Sequence, residues 1–376
     1  MVMPMISKKR FLLLALLAIM VMSLVAMRKV HSEEEPVVSY LGPAKYYANY
    51  SSACIIRVDD FVADPAKLTT IDFNMGKRTV SFQNFQMELI NYLVVHHPEA
   101  RLVFGIITGD ASGENNTQLW SLYSELVHKY GWEAASHTRY HLLPPRTADD
   151  IAGSIRDIEG NISNYRVYTY IPPYGKVDGN ELNMLRKLGI KIVMSDKPLQ
   201  LKVPSNWYDV HITIKIDGKH PWFMKFLEVT HYLNNRIGGV TVIYTHATSF
   251  DWKSPGQMDS YFNETLSNIE DGRTWITVPS ELYKYSVESK MLKVVQLNET
   301  TFEVSLKKPV DFQPIPVTLK FLVDGRVKAV YFNGTSLPEL DSFGYIPEVG
   351  YKQIGNSLLI SVIPNGVLQI LSGGND

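Results

Sequence analysis

The chain of 376 residues contains one cysteine, Cys54. That excludes any intrachain disulfide and any zinc site built from cysteines. There is no excess of either charge: 37 basic residues against 38 acidic ones leave a formal net charge of −1. A general nucleic-acid surface shows a basic excess or stripe, so that partner class is excluded. We find no internal repeat and no low-complexity tract. The length suits two domains rather than one.

There is a single long apolar run. "SKKR" (Ser7–Arg10) is followed by "FLLLALLAIMVMSLVAM" (Phe11–Met27) and then by "RK". A basic flank followed by such a run predicts a signal anchor or transmembrane helix over residues 1–30, with a cytoplasmic N-terminus. The "SLVAM" end is a poor cleavage site, so an uncleaved anchor is expected, with the body of the protein outside the cytoplasm. Asn-x-Ser/Thr sequons at Asn49, Asn115, Asn161, Asn263, Asn298 and Asn333 suit an exported glycoprotein of archaeal or bacterial type. Residues 31–50 read as a charged linker.

Over residues 51–286, apolar strand-like runs alternate with segments of helical period. "SACIIRVDDF", "ARLVFGIITG", "YRVYTYIPPYG", "KIVMSD" and "VTVIYTH" read as strands. "TQLWSLYSELVHKYG" and "FLEVTHYLNNRIGG" between them read as helices closed by glycine. This alternation predicts an α/β architecture with a parallel sheet, closing into a barrel. Residues 287–376 change texture: short strands separated by Gly, Asn, Pro and Asp turns predict a small all-β, sandwich-like domain.

Candidate chemistry gathers where strands end. "EAASHTRYH" places His137 and His141 four apart. Imidazoles of this kind bind divalent metals, or serve as polar loop residues. "VDDF" supplies Asp59 and Asp60 after an apolar run, as a turn or cap, or as functional carboxylates. Burying them is costly unless they are paired, hydrogen-bonded or metal-bound. "IYTH" ends in His246, and "IPPYG" presents Tyr174 after the rigid Pro172–Pro173 pair. Each of these also has an ordinary structural reading.

The order of these motifs resembles the polysaccharide deacetylase family (carbohydrate esterase family 4), whose domain is of NodB type. "WEAASHTRYH" looks like that family's second motif almost residue for residue, and the resemblance spans roughly residues 51–286. It implies a distorted (β/α) barrel and removal of N-acetyl groups from amino sugars of a polysaccharide. It also implies a divalent metal, Zn2+ first with Co2+ or Ni2+ as options, held by Asp60, His137 and His141. Asp59 would be the general base and His246 the general acid. Tyr174, following Pro173, would give its backbone N–H to the oxyanion.

Two departures follow. The arginine that the family pairs with its base is replaced by Ile171, and Arg57 or Arg139 is the expected substitute. The acidic residue that tunes the catalytic histidine is best matched by Asp196, and Trp207 and Trp222 are candidates for the apolar wall. The alternatives are an inactive glycan-binding relative, and an amidase or esterase acting on another acyl group.

Overall fold

The computed structural model describes residues 38–63, 70–73, 76–79, 83–109, 117–220 and 222–373. Its organising element is a strand with no exposed residue, as a continuous apolar run demands of the centre of a parallel sheet. In chain order, β1 (Val38–Pro43) precedes this central strand, β2 (Ser52–Val62). A hairpin, β3 (Thr70–Phe73) and β4 (Gly76–Thr79), then leads to α1 (Gln83–His96), β5 (Val103–Ile107), α2 (Thr117–His128) and β6 (Glu133–Ser136). Next come α3 (Ala148–Asn161), β7 (Thr169–Tyr170), α4 (Gly179–Lys187), β8 (Ile192–Val193) and β9 (Ile214–Lys215). The unit ends with α5 (Trp222–Ile237), β10 (Val240–His246), α6 (Pro255–Ile269), β11 (Thr274–Ile276) and α7 (Pro279–Met291).

The sheet runs β8-β7-β6-β5-β2-β10-β9, all parallel, with β11 paired to the first residues of β2 below β5. It curls with helices outside, the parallel α/β arrangement that the strand–helix alternation predicted, but as a half-barrel rather than the closed barrel expected. Irregular backbone spans its open side. Trp207 and Val210 bond to Val193 and Ser195 at the β8 edge, while Thr213 and Ile216 donate to Val242 and Tyr244 of β10.

The remaining strands are β12 (Leu292–Gln296), β13 (Thr301–Leu306), β14 (Val317–Val323), β15 (Val327–Phe332), β16 (Thr335–Ser336), β17 (Gly350–Ile354), β18 (Ser357–Val362) and β19 (Gly366–Ser372). They form two antiparallel sheets, β1-β14-β18-β17 and β12-β13-β19-β15-β16. The sheets face one another, with Phe302 on one and Phe321 on the other at 5.0 Å between ring centroids. Residues 38–43, expected in the linker, therefore belong to the sandwich: Val38 to Pro43 pair with Val323 to Leu319. Their alternating burial shows a period of two that the charged residues before them obscured.

The expected membrane-anchored, extracytoplasmic placement is corrected here. Among the described residues no helix is long and apolar enough to cross a membrane. The apolar run 11–27 that suggested an anchor, and the membrane contact through it, lies outside the described residues, as does the sequon at Asn115.

Candidate active site

At the C-terminal end of β2 the pairing register with β5 shifts between Val58 and Phe61, and Asp60 takes a left-handed backbone (φ 62°). In a regular strand neighbouring side chains point to opposite faces. This bulge breaks the alternation and leaves both carboxylates buried at the strand end. Asp is among the few residues that tolerate this backbone region.

Asp60 meets both histidines. Its Oδ1 lies 3.2 Å from His137 Nε2 and 3.4 Å from His141 Nε2. One ligand atom from each of the three residues falls within 4.8 Å of the others. His137 leaves β6 directly, and its Nδ1 donates to the Ile171 carbonyl at 2.7 Å. In its neutral form the ring therefore turns the bare lone pair of Nε2 toward a carboxylate oxygen. Two such lone pairs repel across a buried gap unless a cation lies between them. Asp60 Oδ2 is buried with no hydrogen-bond partner among the described residues, a costly arrangement for a charged oxygen. Burial pushes the His141 ring down to about 3, against the opposing pull of Asp60, so it is neutral at pH 7. Neutral imidazoles and a carboxylate acceptor are the donor set that a divalent cation takes.

The loop between the histidines is held from α3. Asp150 Oδ1 accepts from the backbone N–H groups of Arg139 and Tyr140, both at 2.9 Å. Arg139, one of two candidates for the missing cation, forks onto Asp157 (2.7 and 2.8 Å) and reaches Asp149. It braces the loop against α3.

Arg57 is the cation beside Asp59. Fully buried two residues earlier on β2, it donates through Nε to Asp59 Oδ1 (2.8 Å) and through Nη2 to Oδ2 (2.6 Å). Nη2 also donates to Asp196 Oδ1 (2.9 Å), and Nη1 donates to the carbonyls of Met194 and Ser195. The guanidinium lies over the Tyr244 ring, 4.5 Å from its centroid. Residues i and i+2 share a face of a strand, which is how Arg57 reaches Asp59.

His246 stands on β10 opposite Asp59 in the sheet register. Its Nδ1 donates to Asp251 Oδ2 at 2.6 Å, and its Nε2 is 2.9 Å from the Tyr244 hydroxyl. Lys215 holds the other Asp251 oxygen at 2.7 Å. Burial works against a charged His246, but Asp251 and then Asp60 outweigh it and hold its pKa above the ordinary 6.5. Asp196, expected beside this histidine, is instead committed to Arg57. Sequence reasoning passed over Asp251 and Trp252, although they form an Asp-Trp pair five residues after His246. The Trp252 indole donates to the His246 carbonyl at 2.7 Å. Of the other tryptophans, Trp207 packs on Tyr283 and Trp222 is exposed on α5.

The turn Pro173–Gly175 brings Tyr174, in a left-handed conformation (φ 60°), to 4.8 Å from the His141 ring. The Pro173 carbonyl accepts from Arg146 Nη2 at 2.9 Å. Arg146 is itself paired with buried Glu181 at 2.9 Å, a brace that no motif announced.

No protein-family model matches the sequence, and neither does any curated protein. Solved structures similar to the chain include a family 4 acetyl xylan esterase from Clostridium thermocellum in complex with a cobalt ion, at 11% identity and a TM-score of 0.38. The match covers 62% of this chain and 90% of that one. A family 4 carbohydrate esterase from Streptomyces lividans in complex with acetate matches at 12% and 0.35, covering 60% and 91%. A CE4 family pseudoenzyme from Bacillus anthracis matches at 14% and 0.36, covering 64% and 69%. Likenesses this distant carry none of the functional reading, which rests on the site's own atoms.

Proposed function

We propose that the chain is a metal-dependent hydrolase that removes N-acetyl groups from the amino sugars of a polysaccharide. The observation that carries the reading is the buried Asp60–His137–His141 cluster, flanked by an Asp59–Arg57 pair on one strand and a His246–Asp251 pair on the next. A divalent cation, Zn2+ first with Co2+ or Ni2+ as options, would be held by Asp60, His137 and His141, polarise an amide carbonyl and activate water.

The chain's own groups supply the rest. Asp59, locked by the Arg57 fork, takes a proton from the attacking water at a carboxylate oxygen. The backbone N–H of Tyr174 is the donor we assign to the developing oxyanion, presented by a turn that Pro172, Pro173 and Arg146 make stiff. His246 carries the proton that the leaving amine needs, and Asp251 steadies the imidazolium. Acetate and a free amino sugar leave. Ile171 would favour an inactive glycan-binding relative, but Arg57 supplies the cation that Ile171 lacks.

The test is to measure bound metal in purified protein and to assay acetate release from N-acetylglucosamine oligomers. We expect about one divalent ion per chain and acetate release, both lost in His137→Ala. Metal without acetate release would move the reading to a binding protein. Release only from O-acetylated xylan would move it to an esterase. No metal, with His137→Ala unchanged, would end the proposal.

A further inference from the structure

Arg57 and Asp59 on β2 have counterparts on β10. The register sets Tyr244 opposite Arg57 and His246 opposite Asp59. Residues two apart on a strand share a face, so each strand carries a supporting side chain just before a working one. Arg57 reaches forward to Asp59, and the Tyr244 hydroxyl reaches forward to His246 Nε2 at 2.9 Å. The two supports are tied to each other, because the Arg57 guanidinium lies 4.5 Å from the Tyr244 ring centroid. Tyr244 is 7% exposed, and burial pushes its phenol well above 10, so the hydroxyl keeps its proton. Asp60 Oδ2 lies near the same nitrogen of His246, at 3.8 Å, beyond hydrogen-bond reach.

We propose that Tyr244 is the positioning residue of the acid: its hydroxyl holds the Nε2 end of His246 off Asp60 and free to give its proton to the leaving amine, a role that rests on the deacetylase reading above. The Asp251 bond at Nδ1 fixes one end of the imidazole and leaves the other to be fixed. An imidazolium N–H bonds more strongly to a carboxylate than to a neutral hydroxyl. Without Tyr244 the Nε2 proton would turn to Asp60, which would withhold it from the amine. A hydroxyl both accepts and donates, so it can hold Nε2 in either state of the ring. It accepts from Nε2–H while His246 is charged. As the C–N bond breaks, its electron pair goes to the nitrogen, which takes that proton. The hydroxyl then turns its own O–H onto the bare Nε2. A phenylalanine at this place could do neither, and a carboxylate could only accept.

The experiment compares two substrates on the metal-loaded full chain. N-acetylglucosamine oligomers need a protonated leaving amine, whereas 4-nitrophenyl acetate expels a stable phenolate that needs no proton. Tyr244→Phe keeps the ring under Arg57, so its denaturation midpoint should stay within about 2 °C of wild type. Its kcat is expected to fall by about 10- to 100-fold on the oligomers, with KM unchanged, and by about threefold at most on 4-nitrophenyl acetate. With His246→Ala already in place, Tyr244→Phe should cost nothing further, since it acts through that ring. In the metal-free protein the nitrogen resonance of His246 Nε2 should shift in Tyr244→Phe. Equal loss on both substrates, an unchanged kcat on the oligomers, losses that multiply in the double variant, or a resonance that stays in place would each overturn this proposal alone. A wild type that releases no acetate from the oligomers would overturn the functional reading, and this proposal with it.

Discussion

Replacing Arg57 with Met removes five donor contacts from a fully buried site: two to Asp59, one to Asp196 and two to backbone carbonyls. It also strips the cation from the Tyr244 ring. The Asp59 carboxylate remains, 1% exposed, with its partner gone. Breaking a buried pair on one side costs about 3–5 kcal/mol. In a chain of 376 residues each kcal/mol moves the denaturation midpoint by about 1–2 °C, so a drop of about 5 °C is expected. Turnover on N-acetylglucosamine oligomers should fall by about 10²–10⁴, the usual worth of a positioned proton acceptor. Arg57→Lys keeps the charge but not the fork, and should fall between. The double variant Arg57→Met with Asp59→Asn no longer leaves the Asp59 charge buried without its partner. It should recover most of the lost stability and none of the turnover. The reasoning is refuted if Arg57→Met melts within 2 °C of wild type and turns over normally, or if the double variant is no more stable than the single one.

Three further outcomes follow from the same geometry. Asp251→Asn keeps the shape beside His246 but removes the charge that favours its imidazolium, so kcat should fall by about 10² while KM holds; an unchanged kcat would exclude His246 as the acid. Gly175→Ala would put a methyl 2.6 Å from Asp196 on a left-handed backbone (φ 61°), so loss of turnover with stability lowered by about 1–2 kcal/mol is expected. Burial raises the Glu288 carboxyl from 4.5 to about 7, outweighing the Ile315 N–H bond that lowers it. The folded state thus holds its proton more tightly than the unfolded chain. That costs nothing below about pH 4.5, and the cost grows as pH rises to about 7, where it levels at about 3 kcal/mol or less. Glu288→Gln should therefore stabilise the protein at pH 8 and change little at pH 4.5; an equal effect at both would disprove the buried-acid account.

Much of this was legible in the residues. Apolar runs ending in Asp59–Asp60 and in His246 marked strands whose ends meet, because parallel pairing puts like ends together. The His137–His141 spacing stood out once a carboxylate existed to complete it. The bulge at Asp60 was not legible, since nothing local distinguishes an aspartate in a strand from one kinked out of it. Asp196 and Asp251 show the harder limit. Each follows a strand by a few residues, and only the folded arrangement decides that one meets Arg57 and the other His246. Ile171 left open which of Arg57 and Arg139 replaces the cation, for a related reason. A cation can reach the same carboxylate from another strand or from its own, and motif order does not reveal which. The sandwich strand at 38–43 was hidden by the charged residues before it, which made the whole region resemble a tether.

That first strand has a consequence for how the molecule is built. Because Val38–Pro43 lies in a sheet whose other members come from beyond residue 316, the sandwich is discontinuous in sequence, and the barrel is inserted within it. Tyr285 donating to Ala44, and Trp275 and Arg101 donating to Tyr345, fasten the two units across the junction. A fragment cut at residue 50 or at 287 would therefore divide one sheet between two molecules. Any segment that carries this barrel into another protein intact has to carry both halves of the sandwich with it.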